Sequence, residues 1–213
     1  AGVGPGATRD GSTSLVATVL GGDYTDDRAS RVVSPPYLVP EATAEPRLRF
    51  WHWYSFSAYD YGEVQISTDD GATWVVLSPR YASTGCGLWH RPFLDLRAYG
   101  RQTVRFAFFL YTHNGDSGGS SPEVSRGWYV DELEVITGPL PDSFGDLKED
   151  FEDPDSAEGW VSDYSIWAIG TPSSGPGGTR DGSLRLAGTV LAGNYTDDRN
   201  SRLVSPSIAL PSA

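Results

Sequence analysis

The chain has 213 residues, a formal charge of −12 and a mean hydropathy of −0.33. Its 28 acidic against 16 basic side chains exclude a nucleic-acid binder, which needs a basic footprint. No apolar run approaches the roughly 18 residues of a membrane span, and a lone Cys86 excludes a disulfide framework within the chain, leaving a buried thiol or an interchain bridge.

From the N-terminus, short runs of alternating polarity are separated by Gly, Pro, Asp and Asn, the pattern of strands joined by turns. They predict strands at 14–20 and 30–39, then at 47–56, 62–68 and 73–78, and finally at 102–112 and 127–136. Strands of this length and spacing, with no sustained helical period, predict an all-β antiparallel sandwich or jelly roll. In "RLRFWHWYSF" the alternation sets Phe50, His52, Tyr54 and Phe56 on one face and Trp51 and Trp53 on the other. Apolar groups on both faces predict a central strand. The stretch "STDDGATW" fits the S-x-D-x-G-x-T-W Asp-box: Asp69 bonds turn amides, Gly71 takes a positive φ and Trp74 packs beneath. That is a hairpin signal, not a catalytic one. After 1–136, the Pro-, Gly- and acid-rich run 137–149 reads as a linker, and 150–213 opens a second unit.

Residues 172–213 repeat residues 1–42 at an offset of 171 without a gap, and 25 of the 42 paired positions are identical. "TRDGS" and "YTDDR" stand in both copies. The period is too long for a solenoid, whose units span about 20–50 residues, and fits a whole domain. It predicts a tandem array of which this chain covers one period and the opening of the next. The unit at 1–136 then lacks the strands that precede the repeat in the second unit. Phe151, Trp160, Ile166 and Trp167 are the large apolar groups of that strand-completing segment. Buried at about 1.5–3 kcal/mol each, they would contribute about 6–12 kcal/mol, against about 5–15 kcal/mol for a whole domain. Residues 1–136 are thus expected to be an unfinished sandwich, closed by such strands from the same chain or from a neighbour.

The motifs "DFEDPDSAEGW", W-x-I-G-x-P-x-x-G-P (167–176), "NYTDDRNSRLVSP", "FWHWYSF…YDYGEVQISTDDGATW", "DLRAYGRQTVRFAF" and "GWYVDELEV" occur together. The set resembles bacterial jelly-roll modules of the MAM, cleaved-adhesin and choice-of-anchor J type, found also after the catalytic part of immune-inhibitor-A-like peptidases. The resemblance implies a concanavalin-like sandwich, secreted or on a cell surface, often in tandem and often with a structural Ca²⁺. At the matching positions the ion's carboxylates are Glu152, Asp10 or Asp181, and Asp131; carboxylate and carbonyl oxygens are what Ca²⁺ takes.

Trp51, Trp53 and Tyr59, with Tyr61, offer either core aromatics or a stacking platform for surface glycans. His52, His90 and His113 lie in separate segments, without HExxH or a nucleophile elbow, so no enzyme is expected. The expected function is a non-enzymatic structural repeat module of an extracellular fibre or cell-surface stalk. Its partners would be copies of itself or adjacent repeats, coupled by strand sharing or end-to-end packing. The rival is an adhesive or carbohydrate-binding module attached to a secreted hydrolase or peptidase.

Overall fold

Aromatic and β-branched residues recurring every second position favour strands, and the computed structural model builds its sheets from those runs. It describes residues 4–82, 89–113, 124–138, 149–153, 159–163, 166–175, 182–195 and 201–206. The chain divides into two compact units, Ala1–Gly138 and Pro139–Ala213.

The first unit is an antiparallel β-sandwich. One sheet has the order β1 (Val16–Ala17), β10 (Gly127–Ile136), β4 (Arg47–Ser55), β8 (Phe93–Asp95). The other has the order β2 (Arg28–Val33), β9 (Thr103–Thr112), β5 (Tyr61–Ser67), β6 (Val75–Val76); β3 (Tyr37–Leu38) also pairs with β9, and β7 (Tyr81–Ala82) with β5. The expected run 30–39 splits into β2 and β3 because Pro35 and Pro36 supply no N–H to the ladder. The run 73–78 contributes only Val75 and Val76. β7 and β8 were not among the predicted strands.

The expected alternation holds along β4, which lies between β10 and β8. Phe50, His52 and Tyr54 are buried on the inner face, as is Phe56 beyond the strand end. There they meet Val64 and Ile66 of β5, Phe106 of β9 and Trp128 of β10 in one apolar cluster. Gly62 makes room for that cluster: a Cβ there would fall 2.5 Å from the Trp128 ring. The Asp-box closes the β5–β6 hairpin as its residues dictate. Asp69 accepts from the Thr73 N–H at 2.8 Å and from the Ser67 and Thr73 hydroxyls, while Gly71 has φ 96°. These donors draw the Asp69 carboxyl down to about 2.

The second unit contains β11 (Val161–Asp163) paired with β14 (Arg202–Val204), and β12 (Ala168–Gly170) paired with β13 (Leu186–Gly188), all antiparallel. The 171-residue offset carries β1 onto β13 and β2 onto β14.

Candidate functional site

The site begins with two sheet edges. β1 ends one sheet of the sandwich and β2 ends the other, and they flank the same groove. Its two adjoining hollows, of about 450 and 470 Å³, share Val16, Val32, Phe108 and Val130 as lining. Val16 is 45% exposed and Val32 48% exposed. The Thr18 N–H bonds to the Trp128 carbonyl, so by strand alternation Val16 also turns its backbone groups toward β10, and Leu15 and Ala17 turn theirs outward. On β2 the Ser34 N–H bonds to the Phe106 carbonyl, so Arg31 and Val33 present their backbone groups outward by the same rule. An apolar trough thus lies between two rows of backbone donors and acceptors that are unpaired among the described residues.

In the second unit the copies of these edges are paired. β12 runs along β13 with Ala168 opposite Gly188, Ile169 opposite Ala187 and Gly170 opposite Leu186. β11 runs along β14 with Val161 opposite Val204, Ser162 opposite Leu203 and Asp163 opposite Arg202. All four residues of the predicted strand-completing segment lie in this unit. Ile166 is buried, Phe151 packs edge-on to Trp160 at 5.4 Å between ring centroids, and the Trp167 indole N–H reaches the Ser201 carbonyl at 3.4 Å. The segment changes its surroundings: Leu191 is 8% exposed, whereas Leu20, the same residue of the other copy, is 75% exposed. Pro206 is buried and its copy Pro35 is exposed.

The residues expected to ligate a cation have these surroundings. Asp131 sits at a bulge in β10, where Glu132 has φ 48°. It accepts from the Arg9 and Glu132 N–H groups, both at 3.0 Å. Asp10 accepts from the Ser12 N–H, which holds its carboxyl below the usual range. Glu152 accepts from the Arg185 N–H in the second unit. Asp181 and Cys86 lie outside the described residues. Among the described residues no three His, Cys, Asp or Glu side chains converge.

The aromatic residues proposed as a sugar platform have separate surroundings. Trp51 and Trp53 share the outer face of β4. The Arg9 guanidinium lies 4.1 Å over Trp51, and Trp53 is buried against Tyr129. Tyr59 leans on His113, and Tyr61 of β5 stacks on Tyr111, its cross-strand partner on β9.

Two features escaped the sequence reading. His52 and His90 are joined by a β-bridge. His52 sits among Phe50, Tyr54, Tyr81 and Trp128, and its Nδ1 accepts the Trp128 indole N–H at 3.2 Å. Burial, with His90 as a smaller cause, holds this imidazole well below its usual range, so it is a neutral core group and not an exposed base. The second feature is the anchor of the repeated "YTDDR". The Tyr24 hydroxyl donates to Asp60 at 2.5 Å and accepts the Ser57 N–H, while Asp60 also accepts the His113 N–H at 2.7 Å. Burial and the Asp60 bond push the phenol up. Tyr24 is 3% exposed and its copy Tyr195 is 69% exposed, so the repeated motif has this anchor only in the first unit. The signal for it was the nonlocal pairing of "YTDDR" with "AYDYG", which no local pattern reveals.

No helix among the described residues is long and apolar enough to cross a membrane. No protein-family model and no curated protein matches the chain. Among solved structures, TmCBM61 in complex with β-1,4-galactotriose is similar over 55% of this chain and 69% of that one, with 13% identity and a TM-score of 0.33. A likeness at that level says nothing about what this chain binds.

Proposed function

We propose that the chain is a non-enzymatic structural repeat module of an extracellular fibre or cell-surface stalk, in which neighbouring domains couple along the open side of the sandwich. One observation carries this reading: both sheets end in unpaired edges on the same side, above an apolar groove. Unpaired edges are templates for further strands, and strand addition is a recurrent way of joining chains. A junction that repeats from one identical unit to the next gives a linear or helical polymer and not a closed pair. The set of motifs that resembles MAM-like, cleaved-adhesin and choice-of-anchor J modules supports an extracellular jelly roll of this kind. Calcium belongs to the reading only through that resemblance. A melting temperature raised by CaCl₂ and lowered by EDTA is the measurement that would add it.

The test is assembly of the chain itself, followed by sedimentation and negative-stain microscopy across a concentration series. Linear particles of uniform width are expected. A chain that stays monomeric at its highest soluble concentration overturns the proposal. Glycan binding that is lost in Trp51→Ala, in a chain that stays monomeric, would favour the adhesive role instead.

A further inference from the structure

We infer that the turn between β4 and β5 carries a carbohydrate-binding site centred on Tyr59, which takes a neutral sugar. The site lies at one end of the outer face of β5 and β9. β9 separates it from the β2 edge, and it does not depend on assembly.

The backbone of the turn is the first observation. The Asp60 N–H bonds to the Ser57 carbonyl at 3.2 Å, which closes a four-residue turn with Tyr59 in third place. There Tyr59 has φ 67°. A turn with a positive φ at this place takes Gly or Asn, because a larger side chain crowds the backbone in the left-handed region. Burial does not compensate Tyr59, which is 73% exposed. A strained residue persists where its surroundings hold it, and here they do. Asp60 is 1% exposed and accepts both the Tyr24 hydroxyl and the His113 N–H. The Tyr59 ring then rests beside the His113 ring, with 5.7 Å between centroids. An exposed ring is thus presented on a fixed base, at a position where neither backbone preference nor core packing asks for one.

The neighbouring side chains supply fixed polar groups. Tyr61 and Tyr111 are cross-strand partners, and their rings stack at 5.2 Å. Tyr61 and Glu63 share the outer face of β5 by alternation. The Arg80 guanidinium lies 4.1 Å over the Tyr61 ring and 3.5 Å from the Glu63 carboxylate. Glu63 is buried and also accepts from the Gln65 amide at 2.7 Å. The Arg80 side chain is 63% exposed. A ring and a carboxylate therefore orient a guanidinium whose outer edge faces water.

This combination suits a sugar. One face of a sugar ring carries C–H groups, which pack on an aromatic face as other apolar groups do. Its rim carries hydroxyls, which accept from a planar, pre-oriented guanidinium. Groups already held in place lose little freedom on binding. The core of a protein interface is instead apolar and poor in charge. The exposed valines of β6 pair with Gln65 and Ile66, toward the other end of β5. Arg80 is matched by Glu63, so the corner offers no surplus cation for an acidic ligand.

The full-length chain is tested on an array of neutral and acidic oligosaccharides, and the best-bound soluble oligosaccharide is titrated by calorimetry into the parent and four variants. A neutral oligosaccharide is expected to bind. Tyr59→Gly and Arg80→Ala each weaken it by roughly tenfold or more, while Tyr59→Phe and Trp51→Ala stay within about threefold of the parent. Gly relieves the turn, so Tyr59→Gly should melt at or above the parent's temperature, which separates lost binding from lost folding. An array with no bound sugar, a preference for acidic sugars, or equal binding by the parent and Tyr59→Gly overturns the inference. A lower melting temperature in Tyr59→Gly also overturns it, because the ring would then be kept for packing. Sedimentation of the same variants reads assembly separately. Parent-like assembly in Tyr59→Gly is expected, and its loss would make Tyr59 part of the junction and overturn the sugar site.

Discussion

His52 gives the sharpest energetic prediction, because its environment is complete within one core. The imidazole is buried among four aromatic rings and next to His90, and its Nδ1 is occupied as an acceptor. Its folded pKa lies well below 6.5. Below pH 6.5 the unfolded chain therefore binds a proton that the folded chain refuses, so stability is fully present above that pH and falls as pH falls toward the folded value. The slope is about 1.4 kcal/mol per pH unit for as long as the folded imidazole stays neutral. His52→Phe removes this slope and adds a pH-independent cost of about 1–3 kcal/mol, because the Trp128 indole N–H loses its acceptor. Urea unfolding followed by tryptophan fluorescence, at several pH values from 8 down to 5 (about one and a half units below the reference pKa), separates the two effects. Identical pH slopes for the parent chain and His52→Phe would refute the reasoning.

Gly62→Ala drives a Cβ to 2.5 Å from the Trp128 ring, which cannot retreat from the core; a loss of about 1–3 kcal/mol is expected in chemical denaturation. Tyr24→Phe leaves buried Asp60 with only the His113 N–H, at a cost of about 1.5–3 kcal/mol. The copy Tyr195→Phe, at an exposed site, should stay within about 0.5 kcal/mol of the parent.

The long strands were legible because each carries its own alternation: β4, β5, β9 and β10 fall within a residue or so of the runs that predict them. The Asp-box was legible because Ser67, Asp69, Gly71 and Thr73 settle their bonds among themselves. β7 and β8 were not, since two or three residues define no period and these strands exist only through their partners in β5 and β4. The arithmetic of the repeat paired β1 with β13 and β2 with β14, but it gave no register for their partners, which depends on which backbone groups face β9 and β10. Nor did it place Arg9 over Trp51 or the Tyr24 hydroxyl on Asp60, contacts made across 42 and 36 residues.

Guanidinium groups lie over rings of both outer faces: Arg9 over Trp51, Arg31 over Phe109 and Arg80 over Tyr61. Rings left bare on a flat surface invite sideways clumping. Capped by cations, they present charge to the surroundings while holding the arginine above them. In an assembly of the proposed kind, such capping would discourage lateral adhesion on two flanks and steer growth along a single axis, so that a thread would stay slender instead of thickening into a bundle.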